Sequence, residues 1–322
     1  MRTWLGVGML AVVAGCVGLV AQAPAPPAMA TTPAGCLKGA REYRQLLMKE
    51  LQTRLREAGR PTTPADLEPV TAKTADYARA CAAPFATATL GAADLASLAE
   101  LHFEAGQPAV ARQVLDRALA LPGADAAGRA TTLVTAVRVL SRQIRQPGIL
   151  AQAEAYVADL EKLPPSFVRE RVEAHGVLNN YYRADDIDAG IISHSTRIIE
   201  LNPLLNADQR AALANTLVAA YSNLAEALAG QERTPEALDA LRRAPTELVG
   251  IEGVAERLRP TLERYELVGT PGAPIEAPRW LNGTPAGKKI DPKGQVTWIQ
   301  FTAHWCGPCR ESYPGVVRLQ KE

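Results

Sequence analysis

Residues Cys36, Ala40, Tyr43, Leu47, Leu51 and Leu55 recur at steps of three and four, the spacing that gathers apolar groups on one face of an α-helix. Gly59 ends that run. Thr63, Pro64 and Asp66 then read as an N-cap, a proline at the first helical position and a carboxylate at the third. They open a second helix whose Leu67, Val70, Thr74, Tyr77 and Cys81 share a face. Two helices of similar length joined by a tight turn run antiparallel, so the start of the first lies beside the end of the second. Cys36 and Cys81 occupy those two ends. A structural disulfide between them is expected in preference to two free core thiols, and in the loop-entropy picture it contributes about 3–4 kcal/mol.

From Gly91 to about Arg264 the pattern continues as helix after helix with short turns. Only four Phe and eight Tyr occur, and an Ala- and Leu-rich chain of this kind points to helices packed through small residues. The stretch 96–122 reads as a helix, a turn at Gly106 and a second helix, with small residues at Ala99, Ala111 and Ala118; it resembles a tetratricopeptide repeat. Weaker echoes run from Leu178 to Pro203 and from Leu217 to Pro245, the latter with Tyr221, Ala225, Ala237 and Leu241. Stacked helix pairs of that family bury a continuous core and curve into a concave face, so an α-solenoid over residues 31–268 is expected. A peptide-binding groove and a simple spacer or oligomerisation platform are equally open for it. Tyr181, Tyr182 and Tyr221 read as packing residues before groove residues, and His102, His175 and His194 show no ligand spacing.

Residues 1–30 read as a targeting segment: Arg2 supplies the positive start, Leu5 to Val20 the apolar stretch, and small residues end at Ala23 or Ala30. Export follows, to the periplasm or cell envelope. A retained membrane anchor is the weaker reading, because the apolar run is short and rich in Gly and Ala. The sequence Val13-Ala14-Gly15-Cys16 also fits a lipoprotein signal, which would leave Cys16 lipidated and the protein anchored; it ranks second to ordinary cleavage. Pro24 to Pro33 reads as a disordered spacer. With 35 Lys and Arg against 34 Asp and Glu, no basic field exists to hold nucleic acid.

The chemistry is concentrated near residue 306. The apolar run 296–303 reads as a buried strand, and it leads directly into Trp305-Cys306-Gly307-Pro308-Cys309 and a helix-compatible segment. A strand that turns into a helix at C-x-x-C puts the first cysteine at the helix N-terminus, where unpaired N–H groups and the macrodipole favour a thiolate. Cys306 is then the exposed attacking thiolate and Cys309, one turn on and more buried, the resolving thiol. Pro308 fixes φ early in the helix. A zinc site would need two further ligands, and neither a second C-x-x-C nor a paired His lies nearby; no metal and no cofactor are expected. A peroxidatic cysteine would want Thr three residues ahead, where Ala303 stands, and G-x-S-x-G, H-E-x-x-H and P-loop patterns do not occur.

The sequence of 305–309 is that of the thioredoxin active site, and Pro314 matches the proline that kinks the active-site helix in that family. The lead-in from Gly269 to Thr284 and again from Lys293, with Tyr313-Pro314 and the residues to Glu322, resembles the exported, TlpA-like branch of thioredoxin-fold proteins. Gln300 departs from the pattern, standing where cytoplasmic thioredoxins carry a buried Asp that assists proton transfer. His304 reads as a solvated strand-end residue. The family's later strands, its cis-proline loop and its last helix have no counterpart in the sequence, so residues 269–322 are expected to form an incomplete α/β thioredoxin fold, the front portion of a longer gene product. The resemblance implies thiol–disulfide exchange with Cys306 and Cys309 catalytic, Trp305, Gly307, Pro308 and Pro314 supporting, and envelope proteins with disulfides plus a redox partner as its partners. The competing expectation is a non-enzymatic helical adaptor whose redox tail is inert.

Overall fold

The computed structural model describes residues 24–143, 146–272, 294, 300, 302–303 and 306–319. Among them the chain is mainly α-helical and no strand is present. It divides into two compact units, residues 1–266 and 267–322. No helix among the described residues is long and apolar enough to cross a membrane.

The first unit begins with α1 (Pro33–Glu57) and α2 (Pro64–Ala82). Thr32 caps α1 by accepting from the Gly35 N–H at 3.2 Å, and Pro33 occupies a first-turn position where a missing N–H costs nothing. At α2 the Asp66 carboxylate accepts from the Thr63 N–H at 2.9 Å and from its hydroxyl at 2.7 Å, and Arg60 pairs with the same carboxylate. The segment read as a disordered spacer is instead tied to this hairpin. The Tyr77 hydroxyl donates to the Ala28 carbonyl at 3.4 Å, Ala30 packs against the core, and Pro33 is buried. The tether forms because α1 and α2 leave Tyr77 facing that strand of chain.

The following helices are α3 (Ala92–Glu104), α4 (Pro108–Leu119), α5 (Ala126–Ser141), α6 (Ile149–Glu161), α7 (Val168–Ala184), α8 (Asp188–Leu201), α9 (Ala207–Ala212), α10 (Ala214–Gly230), α11 (Thr234–Glu247) and α12 (Val254–Glu266). Sequential partners pack as α1 with α2, α3 with α4, α5 with α6, α7 with α8 and α10 with α11. A second set of contacts links alternate helices, α1 to α3 to α5 to α7 to α10, and α10 on to α12.

Four hairpin turns repeat one geometry: at Gly59, φ 61°, the Arg60 N–H reaches Leu55 O at 3.1 Å, and three later turns match it. Gly106, Asp186 and Glu232 have φ of 72°, 56° and 62°. The N–H of the following residue reaches back across the helix end in each: Gln107 to His102 O, Ile187 to Tyr182 O and Arg233 to Leu228 O, all 2.9 Å. This is the left-handed closure that satisfies a helix's last carbonyls. Counted from that residue, the positions eight before (Leu98, Leu178, Leu224), five after (Ala111, Ile191, Ala237) and twelve after (Ala118, Ile198, Ala244) are buried in all three later hairpins.

An ion-pair chain crosses the alternate helices. Glu100 of α3 is buried and binds Arg41 of α1 and Arg138 of α5, the latter at 3.1 Å. Arg138 binds Glu173 of α7 at 2.8 Å, and Glu173 binds Arg169.

In the second unit the element described is α13 (Gly307–Leu319). The expected strand falls mostly outside the described residues, which exclude 296–299 and 301; residues 300, 302 and 303 carry no strand assignment. The α/β half of the expected fold class is thus not seen among the described residues.

Candidate active site

Cys306 sits at the N-terminal edge of α13, its N–H donating to the Ala303 carbonyl at 3.0 Å, and its own carbonyl accepting from Arg310 at 3.4 Å as the first turn closes. One turn later Cys309 presents its sulfur to the same edge. The two sulfurs lie 1.97 Å apart with Cα atoms 5.4 Å apart, a disulfide across the first turn. Both cysteines are partly buried in this oxidised form. What separates them is position. Cys306 precedes the helix, where the unsatisfied N–H groups converge, whereas Cys309 lies inside it.

The turn is braced from outside. Ser312 Oγ donates to the Cys309 carbonyl at 2.7 Å and accepts from Gln300 Nε2 at 2.8 Å, and Thr302 Oγ1 hydrogen-bonds the Tyr313 hydroxyl at 2.9 Å. Gln300 therefore has a positioning partner in the oxidised form. Gly307 and Pro308 fall in the first turn of α13, and Pro314 lies within the helix, where it withholds an N–H from the Arg310 carbonyl. Trp305 and His304 lie outside the described residues.

The second cysteine pair is remote in chemistry. Cys36 and Cys81 are buried, their sulfurs 1.92 Å apart and their Cα atoms 5.9 Å apart, joining the start of α1 to the end of α2. Tyr43 and Tyr77 pack beside them with ring centroids 5.7 Å apart. Nothing here gives a partner protein access to sulfur.

The tyrosines read as packing residues are buried or partly buried against the helical core. Tyr221 is fully buried and donates to Glu247, and burial together with that carboxylate pushes its hydroxyl pKa up. Tyr182 donates to Glu154 and its pKa is raised for the same two reasons. Tyr181 packs on the Tyr182 ring at 5.4 Å between centroids and against the core, and it also borders a surface groove with Arg142 and Asn180 between α5 and α7.

Sequence reasoning missed one cluster. His175 of α7 and His194 of α8 are both buried, with their Nδ1 atoms 2.8 Å apart. His175 Nε2 meets Glu161 Oε1 at 3.0 Å and His194 Nε2 meets Glu154 Oε1 at 3.1 Å. The hydrogen bonds from His175 and Arg197 hold the Glu161 carboxyl far below the usual range. Burial works against the Glu154 charge, yet His194 and Tyr182 outweigh it and its pKa is lowered. Spacing of 19 residues looks random in a linear search for ligands. It is legible only after α7 and α8 are folded about the turn at Asp186, which no glycine marks in the sequence.

No family model, no curated protein and no solved structure matches this chain.

Proposed function

We propose that this protein is an exported thiol–disulfide oxidoreductase of the thioredoxin-fold, TlpA-like kind, carrying a tetratricopeptide-like α-solenoid as a scaffold for its partner. The observation that carries the reading is the Cys306–Cys309 bond across the first turn of α13, with Cys306 at the helix N-terminus. In the reduced form the Cys306 thiolate attacks a sulfur of a substrate disulfide. A mixed disulfide forms, and one substrate sulfur leaves as a thiolate and takes a proton from water. Cys309, deprotonated, then attacks Cys306 Sγ, releasing the second substrate thiol and leaving the bond present in the structure. An external dithiol reductant restores both thiols. The substrate is reduced by two electrons and the protein oxidised by two.

The scaffold reading is supported by the alternate-helix contacts and by the four turns with one hydrogen-bond pattern, since stacking of like hairpins is how repeat proteins bury a common core. The groove lined by Arg142, Gln143 and Asn180 presents polar side chains to an extended segment of a partner.

Variants test the division of labour. Cys306→Ser is expected to abolish reduction of a disulfide-linked protein, and Cys309→Ser to accumulate a mixed disulfide visible on a non-reducing gel. Cys36→Ser is expected to leave turnover intact and lower stability only. Equal loss of turnover from Cys306→Ser and Cys36→Ser in folded protein sinks the assignment.

A further inference from the structure

The cluster joining α6, α7 and α8 constrains the number of protons it holds. Glu154 and Glu161 are both held ionised by their donors, so each imidazole must present an N–H at Nε2. A neutral imidazole carries one N–H, and each ring has already used it. Two bare Nδ1 lone pairs would then face each other at 2.8 Å in a site from which water is nearly excluded, and that contact is repulsive. A single proton placed between them turns the repulsion into a charge-assisted hydrogen bond.

We propose that His175 and His194 share one proton between their Nδ1 atoms, and that this proton clamps α7 to α8, making the stability of the helical unit depend on pH on both sides of neutrality.

The charge surroundings suit one added proton and no more. From α6, Glu154 and Glu161 supply two negative charges; from α7, Arg171 lies 3.5 Å from Glu161 and Tyr182 stacks on His194 while donating to Glu154; from α8, Arg197 binds Glu161 at 2.9 Å and Glu200 at 3.0 Å. Among the described residues no hydrogen bond or ion pair joins the two rings to a charged group of α5 or α10, which also pack on α7. Burial pushes the His175 pKa down against the raising effect of its bond to Glu161, and His194 and Arg197 add to the lowering, which opposes a second proton on the pair.

Proton linkage gives the sign. Two unfolded histidines near pKa 6.5 bind about two protons well below that pH, one in total at it, and none well above, whereas the folded pair keeps its one shared proton on both sides of that pH. Above about pH 6.5 the folded state binds more protons, so stability falls as pH rises until the shared proton is lost. Below about pH 6.5 the unfolded state binds more, so stability falls as pH drops. The unfolding constant therefore rises by up to tenfold per pH unit on each flank.

The test is the urea unfolding of the full chain from pH 5.5 to 8.5, compared with His194→Asn, whose amide N–H can donate to a neutral His175 Nδ1. We expect a minimum in the wild-type unfolding constant near pH 6.5 and loss of the alkaline flank in the variant. A flat wild-type profile, or an alkaline flank retained in the variant, overturns the proposal. Should the variant not fold, imidazole ¹⁵N shifts of the wild-type protein at pH 7 decide: three protonated nitrogens in the two rings support it, while two or four overturn it. A profile that moves on treatment with a chelator assigns the gap to a metal ion and overturns it as well.

Discussion

At the scale of single residues, several positions are set by what their side chains must leave room for. Gly190 is the clearest: a Cβ there would lie 2.3 Å from the Tyr182 ring, at the ring's root and not its mobile end. Tyr182 is held by its bond to Glu154 and by stacking on His194, so it has nowhere to yield. Alanine normally improves a helix interior over glycine by about 0.5–1 kcal/mol, yet here overpacking dominates. Gly190→Ala is expected to destabilise by about 1–3 kcal/mol, read from the urea midpoint at unchanged m-value. Gly39 plays a similar part between α1 and α2, where a Cβ would meet the Tyr77 hydroxyl at 2.4 Å. Neither glycine is distinguishable in the sequence from one that merely ends a helix. The lining of a close contact belongs to the partner residue, and the partner is known only after folding.

At the scale of elements, the hairpin turns were partly readable. Gly106 before Pro108, and Gly59 before the Thr63 cap, carry the ordinary signals of a helix stop and start. The turns at Asp186 and Glu232 carry no glycine, although both residues adopt the same left-handed conformation. Asp tolerates it through its short polar side chain, but Glu does not share that advantage. Glu232→Gly relieves the strain at some cost in unfolded-chain entropy, and we expect a net gain of about 0.5–1 kcal/mol, checked by thermal unfolding. Helix α13 was also legible, since Pro308 at an early helical position and the polar, helix-compatible segment after it mark a helix start. Its brace from Gln300 and Thr302 was not, because those contacts depend on how the chain before Cys306 approaches α13.

For the molecule as a whole, the Cys36–Cys81 bond closes a separation of 45 residues at one end of the helical unit. Closing a loop of that length restricts the unfolded chain, so reduction under denaturing titration is expected to cost about 3–4 kcal/mol of stability while the helical signal of the folded protein persists. A loss well under 1 kcal/mol would mean that the unfolded chain already keeps those helices together. The same unit is crossed by the Arg41–Glu100–Arg138–Glu173 chain, which ties α1, α3, α5 and α7 through groups far apart in sequence.

By itself the sequence determined the helical character of residues 33–266, the ends of α1 and α2 and the turn at Gly106, because periodicity, caps and breakers act within a few residues. It also determined the pairing of Cys36 with Cys81, because a single tight turn converts sequence distance into spatial distance. Only the tertiary structure decided that His175 meets His194, that Tyr221 is buried against Glu247, and that Glu100 is flanked by two arginines. Those contacts arise from helix against helix, where register and rotation are set by the packing of many small residues together, and no local pattern records the result.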